Sequence, residues 1–278
     1  MSGKVYTVKE EIFLKYIICV VIICGTMFLR FERMNVMQRK YREVKYECGE
    51  FLDVEFFPVY KKSRQRRSRA NPSTEGQKLL NQKRSQRRLT RLIHANFTGR
   101  DYALHLTYDD DNMPDSEDVA KRNVSNYLRR LKRLYQKYGV ELKYISVTEK
   151  GKRSGRLHHH LIVSGGVSRD EVEGLWKLGR ANTKRLQFDD NGVAGLSHYI
   201  SKQALFYRRW NGSKNLVDPD VKANDYRYTR SRAHNVCRYE DRDLIASLYP
   251  GYTLSSIEFT ESDIGGEFYG FLRLRKRI

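Results

Sequence analysis

The chain is poor in cysteine, and the little it has is scattered. Cys19, Cys24, Cys48 and Cys237 are all there is in 278 residues. They lie too far apart for a disulfide framework or a paired zinc knuckle, which points to a reducing, intracellular (cytoplasmic) setting. A long apolar run is also missing. Tyr16 to Leu29 is uncharged but spans only 14 residues, where a bilayer crossing needs about 20. It suits a packed helix, a strand or an interfacial segment at least as well, and membrane contact through residues 16–29 stays open. Glu10 and Glu11 spoil a basic leader, and no small-x-small cleavage site follows. A start at Met34 or Met37 would leave that run, and the rest of residues 1–40, outside the functional protein. There is no internal repeat, and no Gly-x-x-x-x-Gly-Lys-Ser/Thr that would mark a helicase-like nucleotide site. Acidic residues are scarce beside basic ones: 33 Asp and Glu against 53 Lys and Arg give a net charge of +20. Such an excess argues for a polyanionic partner, nucleic acid first and an acidic membrane surface second.

What is present fits one good-sized core with a smaller appendage. Val44, Tyr46 and Cys48, then Leu52, Val54 and Phe56, alternate with polar residues around Gly49, which predicts a hairpin. From Lys61 to Arg91 there are twelve Lys or Arg and one acid, Glu75, with Asn71-Pro72-Ser73 separating an arm from a helix. Twelve to one exceeds what solubility needs and suggests phosphate contacts by Arg64, Arg66, Arg67, Arg69, Arg87 and Arg88. Tyr102 to Tyr108 alternates as a strand, and Pro114-Asp115-Ser116 opens a helix to about Tyr138. One face of that helix is apolar and the other carries Arg129, Arg130, Lys132, Arg133 and Lys137. Leu142 to Glu149 and Leu157 to Ser164 read as strands joined by a turn. Ser168 and Glu171 have capping-box spacing ahead of a helix. Arg185 to Phe188 reads as a short strand, and a helix runs from about Val193 to Phe206. Beyond Trp210 the pattern weakens to a short helix at Asp243 to Tyr249 and strands at Ile257 to Phe259 and Phe268 to Leu274. The order predicts an α+β fold with a central antiparallel sheet flanked by helices and with N- and C-terminal extensions. Its expected units are 1–40, a hairpin and basic arm at 41–90, a domain at 91–216, and a packed extension at 217–278.

Three of the seven histidines fall together in Gly155-Arg-Leu-His-His-His-Leu-Ile-Val163. Side chains two apart on a strand share a face, so His158 and His160 are a candidate metal pair while His159 faces the other way as a packing residue. A two-residue loop in the hairpin would set Glu149 opposite His158 or His160 on the same face; a three-residue loop would turn it away. Two His and one Glu with open positions suit Mn²⁺, or Mg²⁺ when substrate phosphate oxygens complete the shell. Zn²⁺ would bind them too. His105 and Thr107 share a face of the preceding strand, and His105 is read as a structural histidine. In Tyr199-Ile-Ser-Lys202, Tyr199 and Lys202 lie three apart on a helix, where a lysine can stabilise a phenolate that otherwise forms only near pH 10.

Together these residues resemble the three ordered motifs of HUH endonucleases, and in particular the rolling-circle replication initiators of phages and plasmids. Asn96 to Tyr108 resembles the first motif, Glu149 to Val163 the second and Tyr199 to Lys202 the third, within a resemblance covering roughly Leu79 to Leu216. His159 departs from it, since the family prefers a bulky apolar or aromatic residue there. The resemblance implies a palm-like antiparallel sheet, a divalent metal on Glu149, His158 and His160, and Tyr199 as the nucleophile assisted by Lys202. It further implies nicking of single-stranded origin DNA, a 5′-phosphotyrosyl intermediate, a free 3′-hydroxyl and later rejoining. The basic segments would hold the DNA, Tyr207 and Trp210 could stack on bases, and host replication machinery is a possible partner. A related transposase or relaxase uses similar chemistry, and a non-catalytic DNA- or RNA-binding protein is the alternative from another class.

Overall fold

The computed structural model describes residues 40–60, 75–151, 154–201, 210–262 and 266–277, with backbone alone for 198–201. Strands β1 (Tyr41–Cys48) and β2 (Phe51–Pro58) form the predicted hairpin. Its turn needs glycine: Gly49 has φ +63°, and a Cβ there would lie 2.7 Å from the His94 carbonyl oxygen. Next come helix α1 (Glu75–Asn96), β3 (Tyr102–Thr107), α2 (Glu117–Lys137), β4 (Tyr144–Lys150) and β5 (Leu157–Val163). The Ser116 hydroxyl caps α2 by accepting from Val119 N–H at 3.3 Å. Then follow α3 (Arg169–Gly174), β6 (Ala181–Arg185), α4 (Ala194–Ser201), β7 (Asn211–Gly212) and β8 (Asp220–Asn224). The chain closes with α5 (Arg230–Tyr239), α6 (Arg242–Leu248), β9 (Tyr252–Glu261) and β10 (Phe268–Lys276).

The fold is α+β, but its strands make two antiparallel five-stranded sheets rather than one. The first has the order β8-β1-β2-β10-β9 and the second β6-β3-β5-β4-β7. The N-terminal hairpin and the C-terminal strands are therefore one structure, with β10 paired to β2 along Gly270↔Phe56 through Arg275↔Phe51. Two local expectations change as well. The short strand is Ala181–Arg185, pairing with β3, and Leu186 to Phe188 lie beyond it. Ser168 stands at the N-cap of α3 without making a side-chain cap bond, while Glu171 accepts from the Tyr138 hydroxyl at 2.6 Å.

Apolar patterning explains the layers. Val124, Tyr127, Leu131 and Tyr135 of α2 recur at helical spacing and pack on Leu104, Leu106, Leu161 and Val163, one face of the second sheet. The opposite face, through Ile145, Val147 and Ile162, receives Leu89, Leu92 and Ile93 of α1 together with Val193 and Leu196 at and within α4. The other side of α1 meets the first sheet through ions. Asp53 is fully buried and takes bonds from Arg91 (3.0 Å) and Arg273 (2.8 and 2.9 Å). Helix α1 is thus a shared layer between the sheets. Residues 16–29 lie outside the described residues, and among the described residues no helix is long and apolar enough to cross a membrane.

Candidate metal centre

The hairpin of β4 and β5 sets the centre. Six residues, 151–156, connect the strands, and the even number keeps the parity that a two-residue loop would have given. Glu149 consequently sits directly opposite His158, and Val147 opposite His160. On the other flank of β5, His105 pairs with His160 and Thr107 with His158. Side chains of directly paired residues share a face, so one face of the sheet carries Thr107, His158 and Glu149 in one row and His105 and His160 in the next. Ile162, Ala103 and Ile145 continue that face into the core beneath α1 and α4.

The carboxylate of Glu149 lies between the two imidazoles, Oε2 being 3.4 Å from His158 Nε2 and 3.5 Å from His160 Nε2. Burial pushes the Glu149 carboxyl up, but the hydrogen bonds with His158 and His160 outweigh it and hold its pKa down to about 2. At neutral pH it is a carboxylate. Its second oxygen, Oε1, is buried and has no hydrogen-bond partner among the described residues, a position that protein structures rarely tolerate unless an ion or water completes it. The ring of His105 stacks on that of His160 (centroids 4.7 Å, 14°) and meets His158 edge-on at 5.2 Å. Ligand atoms of His105, His158 and His160 all lie within 4.8 Å of one another. These three histidines can hold a metal ion, and the orphaned Glu149 oxygen beside them makes the residues fit one. His105 therefore stands in the cluster, and the expectation that it is structural gives way. Strand alternation put it on the same face as Thr107; only the pairing with His160, 55 positions away, brings it to the site.

His159 faces the other way, as expected, and is fully buried. Both ring nitrogens are engaged, Nε2 with the Tyr108 hydroxyl at 2.7 Å and Nδ1 with the Thr148 hydroxyl at 2.8 Å. This is what a structural histidine looks like in this protein.

The predicted nucleophile is on the right layer. Tyr199 belongs to α4, and α4 packs against α1 and β4 on the metal face. The start of that helix is fixed by His94, whose Nε2 accepts from Val193 N–H at 3.0 Å, and by Gly192 (φ +70°), where a Cβ would meet His94 Nε2 at 2.1 Å. The Tyr199 side chain, Lys202 and Tyr207 lie outside the described residues, as do Arg64, Arg66, Arg67 and Arg69.

The remaining arginines divide. Arg87 is committed to the first sheet, 3.0 Å from Glu258 and over the Phe271 ring at 4.0 Å. Arg88 is exposed and lies 5.9 Å from the ring centroid of half-buried Trp210. Arg129 and Arg133 are exposed and Arg130 is half-buried on α2, across the sheet from the histidine cluster. With Lys132 and Lys214, Arg129 lines a groove of about 810 Å³ between α2 and the β4 edge. Nucleic acid held there would have to pass round the sheet edge to reach the metal face.

Residues 101–204 match a family described as replication-associated protein, of the ORF2 type. The match spans β3 through α4, less than half of the chain, and contains the histidine cluster and Tyr199. It agrees with the resemblance to rolling-circle replication initiators. Neither the curated proteins nor the solved structures yield a match.

Proposed function

We propose that the chain is a metal-dependent endonuclease and strand transferase that initiates rolling-circle replication by nicking single-stranded origin DNA. The observation carrying this is the register that sets Glu149 against His158 on the face where α4 packs. The match of residues 101–204 to replication-associated proteins supplies the biological class.

Glu149, His158 and His160 would hold the ion. A divalent metal bound there polarises the scissile phosphate as a Lewis acid. The protein does the rest. Strands β4 and β5 hold the ligands rigidly, and α4 presents Tyr199 to the same face. The Tyr199 Oη attacks the phosphorus as its proton leaves to solvent, and Lys202 stabilises the phenolate. The new Oη–P bond replaces the P–O3′ bond, and the departing 3′-oxygen takes up a proton to become the free 3′-hydroxyl that primes synthesis. The 5′ end stays on the tyrosine, and attack by a 3′-hydroxyl reverses the step and rejoins the strand. Exposed arginines on α2 and the basic arm contact phosphates without reading sequence.

Incubation of the full chain with single-stranded origin DNA and Mn²⁺ should give a denaturant-resistant protein–DNA adduct that a chelator prevents and Tyr199→Phe abolishes. Absence of an adduct across candidate origins and metals would leave a non-catalytic binding protein. An adduct undiminished in Tyr199→Phe would assign the nucleophile elsewhere.

A further inference from the structure

We propose that His105 is a fourth metal ligand, and that with it the site selects a first-row transition ion over Mg²⁺. The inference rests on the reading of the cluster as a metal centre and extends it to a residue on a third strand.

Geometry carries it first. Bonds of about 2.1 Å from a metal to imidazole nitrogens put two donors on opposite sides of an ion roughly 4.2 Å apart. The ligand atoms of His105, His158 and His160 fall within 4.8 Å, so the widest separation exceeds that span by about half an ångström, within reach of small side-chain rotations. The scaffold is rigid where it needs to be. His105 and His160 are paired residues of an antiparallel ladder and Glu149 and His158 are another pair, so three adjacent strands deliver four donors to one patch.

The histidines of this fold also differ from one another in a telling way. His159 has both nitrogens hydrogen-bonded in the core, and His94 accepts from a backbone N–H. His105 is exposed, and among the described residues its ring meets those of His158 and His160 and has no hydrogen-bond partner. A ring stacked 4.7 Å from a proposed ligand, with its nitrogens uncommitted, is placed to ligate rather than to brace the fold.

Chemistry then fixes the class of ion. Two imidazoles and a carboxylate leave room for the several waters that Mg²⁺ retains. A third imidazole replaces one of those oxygens by nitrogen, which Mg²⁺ disfavours and transition ions accept. Four protein donors still leave a six-coordinate ion two positions for phosphate oxygens.

The test uses the metal-free full chain and Mn²⁺ alone, with no DNA, so that a contact from His105 to substrate cannot be mistaken for ligation. Mn²⁺ affinity, its competition by Mg²⁺ and the nitrogen couplings seen by pulsed EPR would be measured in wild type, His105→Ala, His105→Phe and His158→Ala. The Phe variant keeps a ring to stack on His160 and removes only the nitrogens. Wild type should show three coordinated imidazoles. Both His105 variants should show two, bind Mn²⁺ at least about tenfold more weakly, since even outer partners of ligands are worth 10–100-fold, and lose preference over Mg²⁺ by a similar factor. Unchanged affinity, nitrogen count and preference in His105→Phe, with binding lost in His158→Ala, would overturn this inference and leave the metal centre standing. Mn²⁺ binding absent from wild type, or unaffected by His158→Ala, would overturn the metal centre itself and this inference with it.

Discussion

Replacing Asp53 by Asn should loosen the joint between the two sheets and, through it, the helix that carries Tyr199. Asp53 on β2 is fully buried and accepts from Arg91 of α1 at 3.0 Å and from Arg273 of β10 at 2.8 and 2.9 Å. Burial pushes its carboxyl pKa up, but the bonds and charges of the two guanidiniums prevail and hold it below the usual carboxylate range. Arg91 has a second anchor, Glu55 at 2.7 Å, and lies 3.6 Å over the Tyr46 ring. Arg273 has little else, its other acceptor being the Asn191 carbonyl at 3.5 Å. An amide in place of Asp53 therefore strands a nearly buried guanidinium, and removing one partner of a buried pair typically costs about 3–5 kcal/mol. Arg273→Met leaves Asp53 paired with Arg91 and should cost less. The double variant no longer strands Arg273, so the two losses should fall short of additivity by about 1–3 kcal/mol. Urea unfolding of the full chain, read by circular dichroism at neutral pH, measures all three. A loss under about 1 kcal/mol for Asp53→Asn, or strict additivity in the cycle, would refute the claim that this network ties α1 to the first sheet.

Three further outcomes follow from other contacts. Burial first, and the Arg273 charge second, depress the His94 pKa from 6.5 to about 3. The fold holds this ring neutral, so its contribution is complete above pH 6.5 and is lost as the pH falls from there toward 3, at about 1.4 kcal/mol per pH unit. Urea midpoints between pH 7 and 5 should fall less steeply in His94→Gln, whose amide oxygen can take the Val193 bond; equal slopes would contradict this. Gly192→Ala forces a Cβ toward His94 Nε2 in a left-handed conformation, and should lower the thermal midpoint by several degrees for about 2 kcal/mol lost. A midpoint within one degree of wild type (about 0.5 kcal/mol or less) would show that the turn has slack. Mn²⁺ at about 100 times its Kd should raise the stability of wild type by about 2.7 kcal/mol and leave that of Glu149→Ala nearly unmoved, as differential scanning fluorimetry would record; an equal rise in both would remove Glu149 from the site.

Much of the second sheet was legible because period-two alternation and turn residues act locally. The parity of the β4–β5 connection, the opposite facing of His158 and His159, and the Ser116 cap all depend on residues close in sequence. What escaped depends on long-range pairing. Alternation marks Phe268 to Leu274 as a strand but does not name its partner, so its place beside β2 could not be read. His105 escaped for the same reason: its face was known and its neighbour was not. Arg87 and Arg91 looked like members of a basic arm because composition counts charges without their counter-ions. Asp53, Glu55 and Glu258, which neutralise them, come from strands elsewhere in the chain.

The central claim is tested most directly by isolating the protein–DNA adduct formed with Mn²⁺, digesting both components and locating the residual nucleotide by mass spectrometry. The account predicts one modified peptide, with a 5′-phosphate esterified to Tyr199. A nucleotide on another residue, Tyr207 included, or cleaved DNA with no covalent protein product would contradict it.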